Sequence, residues 1–171
     1  MLNTISLHQP WAVLWASGHK RCETRTWPLP ESRRGLLLVH AAKYWNKDYE
    51  SLCQEWPFRD ALLSKGFIKN KPFPDGIIGG VYVRHVLSTD KEYTDPKTGK
   101  KGRLTAFLSE KERAFGDFSR NRFAWKAEGA VLFDEPIPYR GFQGVFRVMS
   151  DRLSQAQIEQ LRTIDFDKVL S

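Results

Sequence analysis

Hydrophobic positions along the chain change their spacing several times, and each change marks an element. Asn3 to Leu7 alternates polar with apolar residues, which predicts a first strand. From Pro10 to Ser17 the residues Trp11, Ala12, Val13 and Leu14 crowd a short helix of about two turns. Proline suits its start, because φ is preset there and the missing amide would be unpaired anyway. Gly18 ends it, since a left-handed residue past a helix costs glycine little. His19 to Trp27 reads as a strand, Pro28 to Ser32 as a turn-rich loop, and Gly35 to His40 as a short buried strand. Asn46 to Ser64 has helical spacing in Leu52, Trp56, Leu62 and Leu63, with Asn46 at the N-cap. Pro57 interrupts it, so two short helices or one broken helix are expected, ending near Gly66. This insert reads as a packing element, and Lys69 to Gly76 as a loop.

Ile77 to Thr89 is the longest strand candidate, with Val81, Val83, His85 and Leu87 on one face and Tyr82, Arg84 and Val86 on the other. Gly79-Gly80 within it predicts a bulge or a close backbone approach. Asp90 to Arg103 is polar and turn-rich, with Lys97, Lys100, Lys101 and Arg103 near its tip; it reads as a mobile, solvated loop, with an electrostatic arm on a nucleic-acid backbone as the functional alternative. A strand or short helical turn is expected around Glu110 to Phe115, a strand over Ala124 to Asp134, and a closing strand over Gly144 to Met149. In the tail, Ser154 and Gln157 form a capping box, Leu153 and Ile158 occupy the staple positions, and Ile158 and Leu161 make the apolar stripe. Six or so short strands with glycine bends and few helices predict a mainly β chain with peripheral α-helices, closed into a small β-barrel. One domain is expected: a body over residues 1–150 with a helical insert near 46–65, capped by a helix in 151–171.

Composition narrows the partners. The chain has 171 residues, with 27 Lys and Arg against 20 Asp and Glu, a formal charge of +7. That favours an anionic partner without separating RNA, DNA and a small phosphorylated ligand. Cys22 and Cys53 have no C-x-x-C spacing and read as free thiols in a reducing compartment, so neither a metal site nor a cofactor is expected. The first residues lack a basic region followed by an apolar run, and no segment approaches the length of a membrane span. A soluble cytoplasmic protein without membrane contact is the expectation.

The densest chemistry lies in residues 18–27, where Lys20, Arg21, Glu23 and Arg25 follow the helix and Trp11 and Trp27 flank them. On a strand Glu23 and Arg25 share a face, and Lys20 in the preceding turn leans towards them. A carboxylate between two cations stays ionised and holds both in fixed geometry. Such a trio grips a phosphate or polarises a carbonyl; otherwise it is a solvated salt-bridge cluster on a strand edge. Further on, Arg120, Arg122, Phe123 and Trp125 interleave guanidinium groups with rings, as surfaces for single-stranded nucleic acid do. Trp125 as plain core is the competing reading.

Three stretches, SLHQPWA, GHKRCETRTW and RGLLLVHAAK, together resemble an ASCH domain, the activating signal cointegrator homology family. The family signature G-x-K-x-x-E-x-R falls on Gly18, Lys20, Glu23 and Arg25 without a gap. Ser6, Gln9, Pro10 and Trp11 before it, and His40, Ala41 and Lys43 after it, extend the match. RFAWKAEGAVLFDEPIPYRGFQGVF is similar to the family's closing strands, so the likeness spans most of residues 3–148. It implies a PUA-like β-barrel, a fold associated with RNA-modification proteins and readers of modified bases, and it favours Trp125 as a pocket wall.

The leading expectation is a binding module for RNA, another single-stranded nucleic acid or a nucleotide. Lys20, Arg25 and Lys43 would meet phosphate or a base carbonyl, with Trp11, Trp27 or Trp125 stacking on the base. Glu23 would orient the cations, and Ser6, Gln9, His40 and Arg122 complete the expected site. A second reading is a metal-independent hydrolase. Small ASCH proteins include amidohydrolases acting on acetylated cytidine, and ribonucleases. The amidohydrolases use the signature lysine with a threonine three residues on and a distant glutamate. Here that position is Glu23, and Thr24 beside it would face the other way. A phosphodiesterase could instead use Lys20 for charge and Glu23 or Tyr44 for proton transfer. A third reading is a protein-interaction domain meeting an acidic partner through the same patch.

Overall fold

Long apolar runs that bury both of their faces supply the spine of the fold. The computed structural model describes residues 1–67 and 73–169. In chain order the elements are β1 (Leu2–Leu7), α1 (Trp11–Ala16), β2 (Cys22–Arg25), β3 (Gly35–Ala41), α2 (Asp48–Cys53) and α3 (Phe58–Ser64). β4 (Gly76–Ser88), β5 (Glu92–Thr94), β6 (Lys101–Arg103), α4 (Glu110–Phe115), β7 (Phe123–Ile137) and β8 (Val145–Val148) follow. The tail adds α5 (Gln155–Arg162) and α6 (Phe166–Val169). Of the loop expected at 69–76, residues 69–72 lie outside the described residues, as do 170–171 of the tail.

Six strands make one sheet in the order β2-β7-β4-β3-β1-β8. β1 and β3 run parallel, and the other neighbours are antiparallel. β4 and β7 carry the sheet, with register shifts at Ile77/Gly79, Tyr82/Val83 and Val83/His85 that bend both strands. Gly79 is where the backbones press together, since a Cβ there would run into the Val131 carbonyl oxygen. One sheet face packs on α1, which buries Ala12 through Ala16 on every side, so the helix threads the core instead of lying on its surface. The opposite face buries Leu38, Ile77, Phe133 and Val148 beneath Leu153 and Leu161. The tail cap forms as its sequence predicts, with Ser154 and Gln157 closing a reciprocal capping box.

The mainly β class with peripheral helices is present, and the closed barrel is not. β2 and β8 stand at the sheet's two edges, and among the described residues no strand pairing joins them. Each is four residues long, which leaves little ladder for closure. Arg25 of β2 reaches across instead, its Nη2 donating to the Ser6 carbonyl of β1 at 3.2 Å. Residues 90–103 also depart from expectation. In place of a structureless loop they form a two-stranded ribbon, β5 against β6, with Tyr93 opposite Gly102. Tyr93, with Leu87, Leu108 and Phe118, packs against a small cluster of Cys22, Leu104 and Ala124 and donates its hydroxyl to the Ser88 carbonyl at 2.9 Å, so the ribbon is packed onto the β2–β7 end of the sheet. Among the described residues no helix is long and apolar enough to cross a membrane.

The approach at Gly79 is testable. Gly79→Ala should destabilise the protein by about 1–3 kcal/mol through overpacking, read as a lower urea midpoint with an unchanged slope. An unchanged midpoint would show that the two strands part there without cost.

Candidate functional site

Lys20 is placed by the helix before it and the strand after it. Gln9 Oε1 accepts the Val13 amide at 3.1 Å and so caps the first turn of α1, while Gln9 Nε2 donates to the Pro74 carbonyl. Gly18, at φ +79°, stops the helix, and the Lys20 amide folds back onto Leu14 O at 3.0 Å. β2 then pairs with β7, Glu23 opposite Trp125 and Arg25 opposite Phe123. Glu112 of α4 fixes the turn between α1 and β2. Its carboxylate accepts the Arg21 amide at 3.0 Å and the Cys22 amide at 2.8 Å.

These anchors bring the three signature charges together. Glu23 Oε2 accepts from Lys20 Nζ, and Glu23 Oε1 lies 3.1 Å from Arg25 Nε, without the alignment of a hydrogen bond. Lys20 is 2% exposed, and Glu23 is its ammonium's only hydrogen-bond partner among the described residues. An ammonium has three donors, so two have no protein acceptor there. Lys20, Glu23 and Thr24 border a hollow of about 390 Å³ with Trp11, Leu52, Phe58, Phe115, Gly116 and Asp117. Trp11 packs edge-on against Phe58, and Phe58 against Phe115, their ring centroids 6.2 and 5.0 Å apart. The hollow runs along the free edge of β2, so residues from both strand faces reach it. Thr24, expected to face away from Glu23, therefore borders the same space, its hydroxyl accepting the Asp117 amide at 3.2 Å.

The other expected site residues are placed differently. Arg25 is 28% exposed and sits at the outer side of Glu23. Arg122 is committed close by, donating to the Thr24 carbonyl at 3.3 Å and lying 3.4 Å from Asp117. Trp125 has no exposed surface and does not border the hollow; its indole donates to the Trp27 carbonyl at 3.3 Å and its ring meets Trp27 edge-on. Ser6 donates to His40 Nδ1 at 2.9 Å, and His40 Nε2 donates to the Tyr139 carbonyl at 2.9 Å, which fixes the ring's tautomer. Both thus serve to clamp the loop before β8, where a Cβ on Gly141 would collide with them. Gln9 and Lys43 border a second, larger depression of about 1020 Å³ with Tyr44, Trp45 and Phe73. Lys43, 84% exposed and 3.8 Å from Asp75, does not join Lys20 and Arg25.

Sequence reading missed Leu52, Phe58 and Phe115 as walls, and Glu112 as the anchor. The insert expected only to pack supplies Leu52 and Phe58 to the hollow. Ser109-Glu110-Lys111-Glu112 has the spacing of a capping box, and Ser109 does cap α4; its Glu112, however, reaches away to β2. Cys22, between Lys20 and Glu23, is buried, and burial first and the nearby Glu112 charge second push its thiol up to about 12, away from the thiolate form. Among the described residues no three His, Cys, Asp or Glu side chains are grouped to hold a metal ion.

A family model described as the ASCH domain matches residues 5–125. Among solved structures, this chain is similar to ASCH from Zymomonas mobilis at 15% identity, over 95% of this chain and 94% of that one, with a TM-score of 0.44. It is also similar to a ZmASCH mutant protein from the same organism at 16% identity, over 95% and 96%, with a TM-score of 0.42. No curated protein matches.

Removing the Glu112 carboxylate should loosen the Lys20–Glu23 turn. Glu112→Ala strands two backbone donors and is expected to cost about 1–3 kcal/mol of stability, with Glu112→Gln milder because one acceptor oxygen survives. Chemical denaturation of both variants measures this, and wild-type stability for Glu112→Ala would refute it.

Proposed function

The chain belongs to the ASCH domain family, and from that premise we propose that it binds one nucleotide of an RNA strand in the hollow beside Lys20 and Glu23. The observation that carries this reading is the ammonium of Lys20, nearly buried, with Glu23 as its single acceptor among the described residues, at the wall of a hollow of about 390 Å³. A buried charge with unused donors is costly unless an oxygen meets it. A base carbonyl or a phosphate oxygen answers that need. The hollow falls in the size range of small-molecule sites, and its aromatic side offers Trp11 to a base, where stacking contributes about 1–3 kcal/mol. Glu23 holds Lys20 and Arg25 at fixed positions, so little ordering is left for the ligand to impose. The wider family is a PUA-like fold often linked to RNA binding, which agrees with the net basic charge.

Binding of nucleoside monophosphates and of a labelled 12-nucleotide RNA, followed by calorimetry and anisotropy, tests the proposal. Lys20→Met should weaken both by about 10–100-fold, the worth of a hydrogen bond to a charged group, and Trp11→Ala should remove a stacking contribution of similar size. Thermal unfolding of each variant separates lost binding from lost fold. Unchanged affinity in a folded Lys20→Met protein would eliminate this hollow as the ligand site.

The Lys20–Glu23 contact within one hollow also favours a second reading, a metal-independent hydrolase. In it Lys20 would stabilise charge on a phosphodiester or amide and Glu23 would carry the proton. Thr24 borders the hollow one residue away from the position where the amidohydrolases have their threonine. Chromatography of RNA and acetylcytidine after incubation, with and without EDTA, decides it. Turnover that persists in EDTA and vanishes in Lys20→Met is the expected result for an enzyme, and equal product from both proteins excludes Lys20 chemistry.

A further inference from the structure

The ribbon of β5 and β6 is a charged feature that the hollow does not use. Residues 90–126 carry ten Lys and Arg against six Asp and Glu. Within the ribbon, the acids and the bases are treated differently. Asp90 accepts the Asn121 amide at 3.0 Å and lies 3.8 Å from Arg120. Asp95 accepts the Lys97 amide at 2.8 Å, and hydrogen bonds within its own turn hold its carboxyl below the usual carboxylate range. Of the ribbon's three acids, Asp90 and Asp95 are therefore engaged in shaping it, and Glu92 stands opposite Arg103 in the ladder. Lys97, Lys101 and Arg103 are exposed, and although Glu92 faces Arg103 in this way, none of the three closes an ion pair within 4 Å among the described residues. Cations left unpaired on a protein surface are available to an anion.

The ribbon is also stiff enough to present them. Tyr93 and Leu104 are packed under it, and Lys100 Nζ donates to the Ala106 carbonyl at 2.8 Å while lying over the Phe107 ring. Gly102 lets the strand lie on the turn that follows, where a Cβ would press on Ala106. Its root is bound to the wall of the hollow. Thr89 donates its amide and its hydroxyl to the Arg122 carbonyl and accepts the Arg122 amide, at 2.9 to 3.1 Å. Arg122 in turn donates to Thr24 and lies beside Asp117, both of which border the hollow. The strand ends agree: Ser88 pairs with Phe123, and Phe123 with Arg25. The ribbon leaves the sheet at the same end as Arg25.

We infer that the β5–β6 ribbon is a backbone-contacting arm for single-stranded RNA, with Lys97, Lys101 and Arg103 meeting phosphates of nucleotides that flank the one in the hollow. The arm rests on the nucleotide reading of that hollow and makes the ligand a strand instead of a free nucleotide. Single strands fit because a hollow of about 390 Å³ suits one unstacked unit, and phosphate contact with neighbours needs no base pairing.

The test compares wild type with a triple variant, Lys97→Glu, Lys101→Glu and Arg103→Glu, and with the three Gln counterparts. A 12-nucleotide RNA is titrated at several salt concentrations, and CMP is titrated by calorimetry. The reversed variant should lose at least about tenfold in affinity for the strand, and the Gln variant less. Three lost phosphate contacts should also flatten the slope of log K against log salt by about 2. CMP affinity should be unchanged in both variants. Strand affinity and salt slope equal to wild type in folded variants overturn the arm. Wild type that binds the strand through the ribbon but does not bind CMP upholds the arm and removes the hollow reading. The same losses on a 12-nucleotide DNA support phosphate contact, whereas a loss on RNA alone overturns that assignment. An acidic peptide that displaces RNA at equal charge concentration overturns RNA as the partner.

Discussion

Glu23 is the residue on which the arrangement depends. It sits on a four-residue edge strand with a lysine on one carboxylate oxygen and an arginine near the other. A nearly buried ammonium would be expelled or neutralised without an acceptor, and a carboxylate in the same place would be costly without a cation. Each is tolerated because the other is there. Their mutual need fixes the side chains, and Glu112 fixes the backbone beneath them by accepting two of its amides. The result is a charge held in place by the protein's own contacts.

The open sheet explains why this site is accessible. Had β2 paired with β8, both of its edges would be covered and the carboxylate would lie inside a barrel wall. As an edge strand, β2 keeps one side free, and α4 and the helical insert approach it without closing over it. The same bending of β4 and β7 that curls the sheet brings Arg25 to the Ser6 carbonyl, so the side chain tethers what the ladder leaves apart. Packing, polar satisfaction and access are thus solved together at one edge.

The aromatic residues divide between two jobs. Trp15 and Trp125 have no exposed surface and hold the sheet to α1 and to the Trp27 loop. Trp11, half-buried, stands at the hollow, and the buried Phe58 and Phe115 back it in a chain of edge-to-face contacts along the hollow's wall. Ring type does not separate these jobs. Position relative to the free edge of β2 does.

Much of this was legible in the residues themselves. Period changes located α1, the broken insert and the tail cap, because caps, prolines and glycines act locally. The spacing of Lys20, Glu23 and Arg25 around a helix stop already implied that they meet, since a turn and one strand suffice to bring them together. Tertiary structure alone decided the rest. Whether the sheet closes depends on how far β4 and β7 bend, a property of paired strands and not of either sequence. Which rings wall the hollow, and that Glu112 reaches ninety residues back to hold Arg21 and Cys22, depends on contacts between segments far apart in the chain. Lys43 and Trp125 show the same limit from the other side: each lies near the signature in sequence pattern or strand pairing, and packing sends one to a different depression and the other into the core. Local chemistry is written along the chain, and the company that each side chain keeps is settled only when the chain folds.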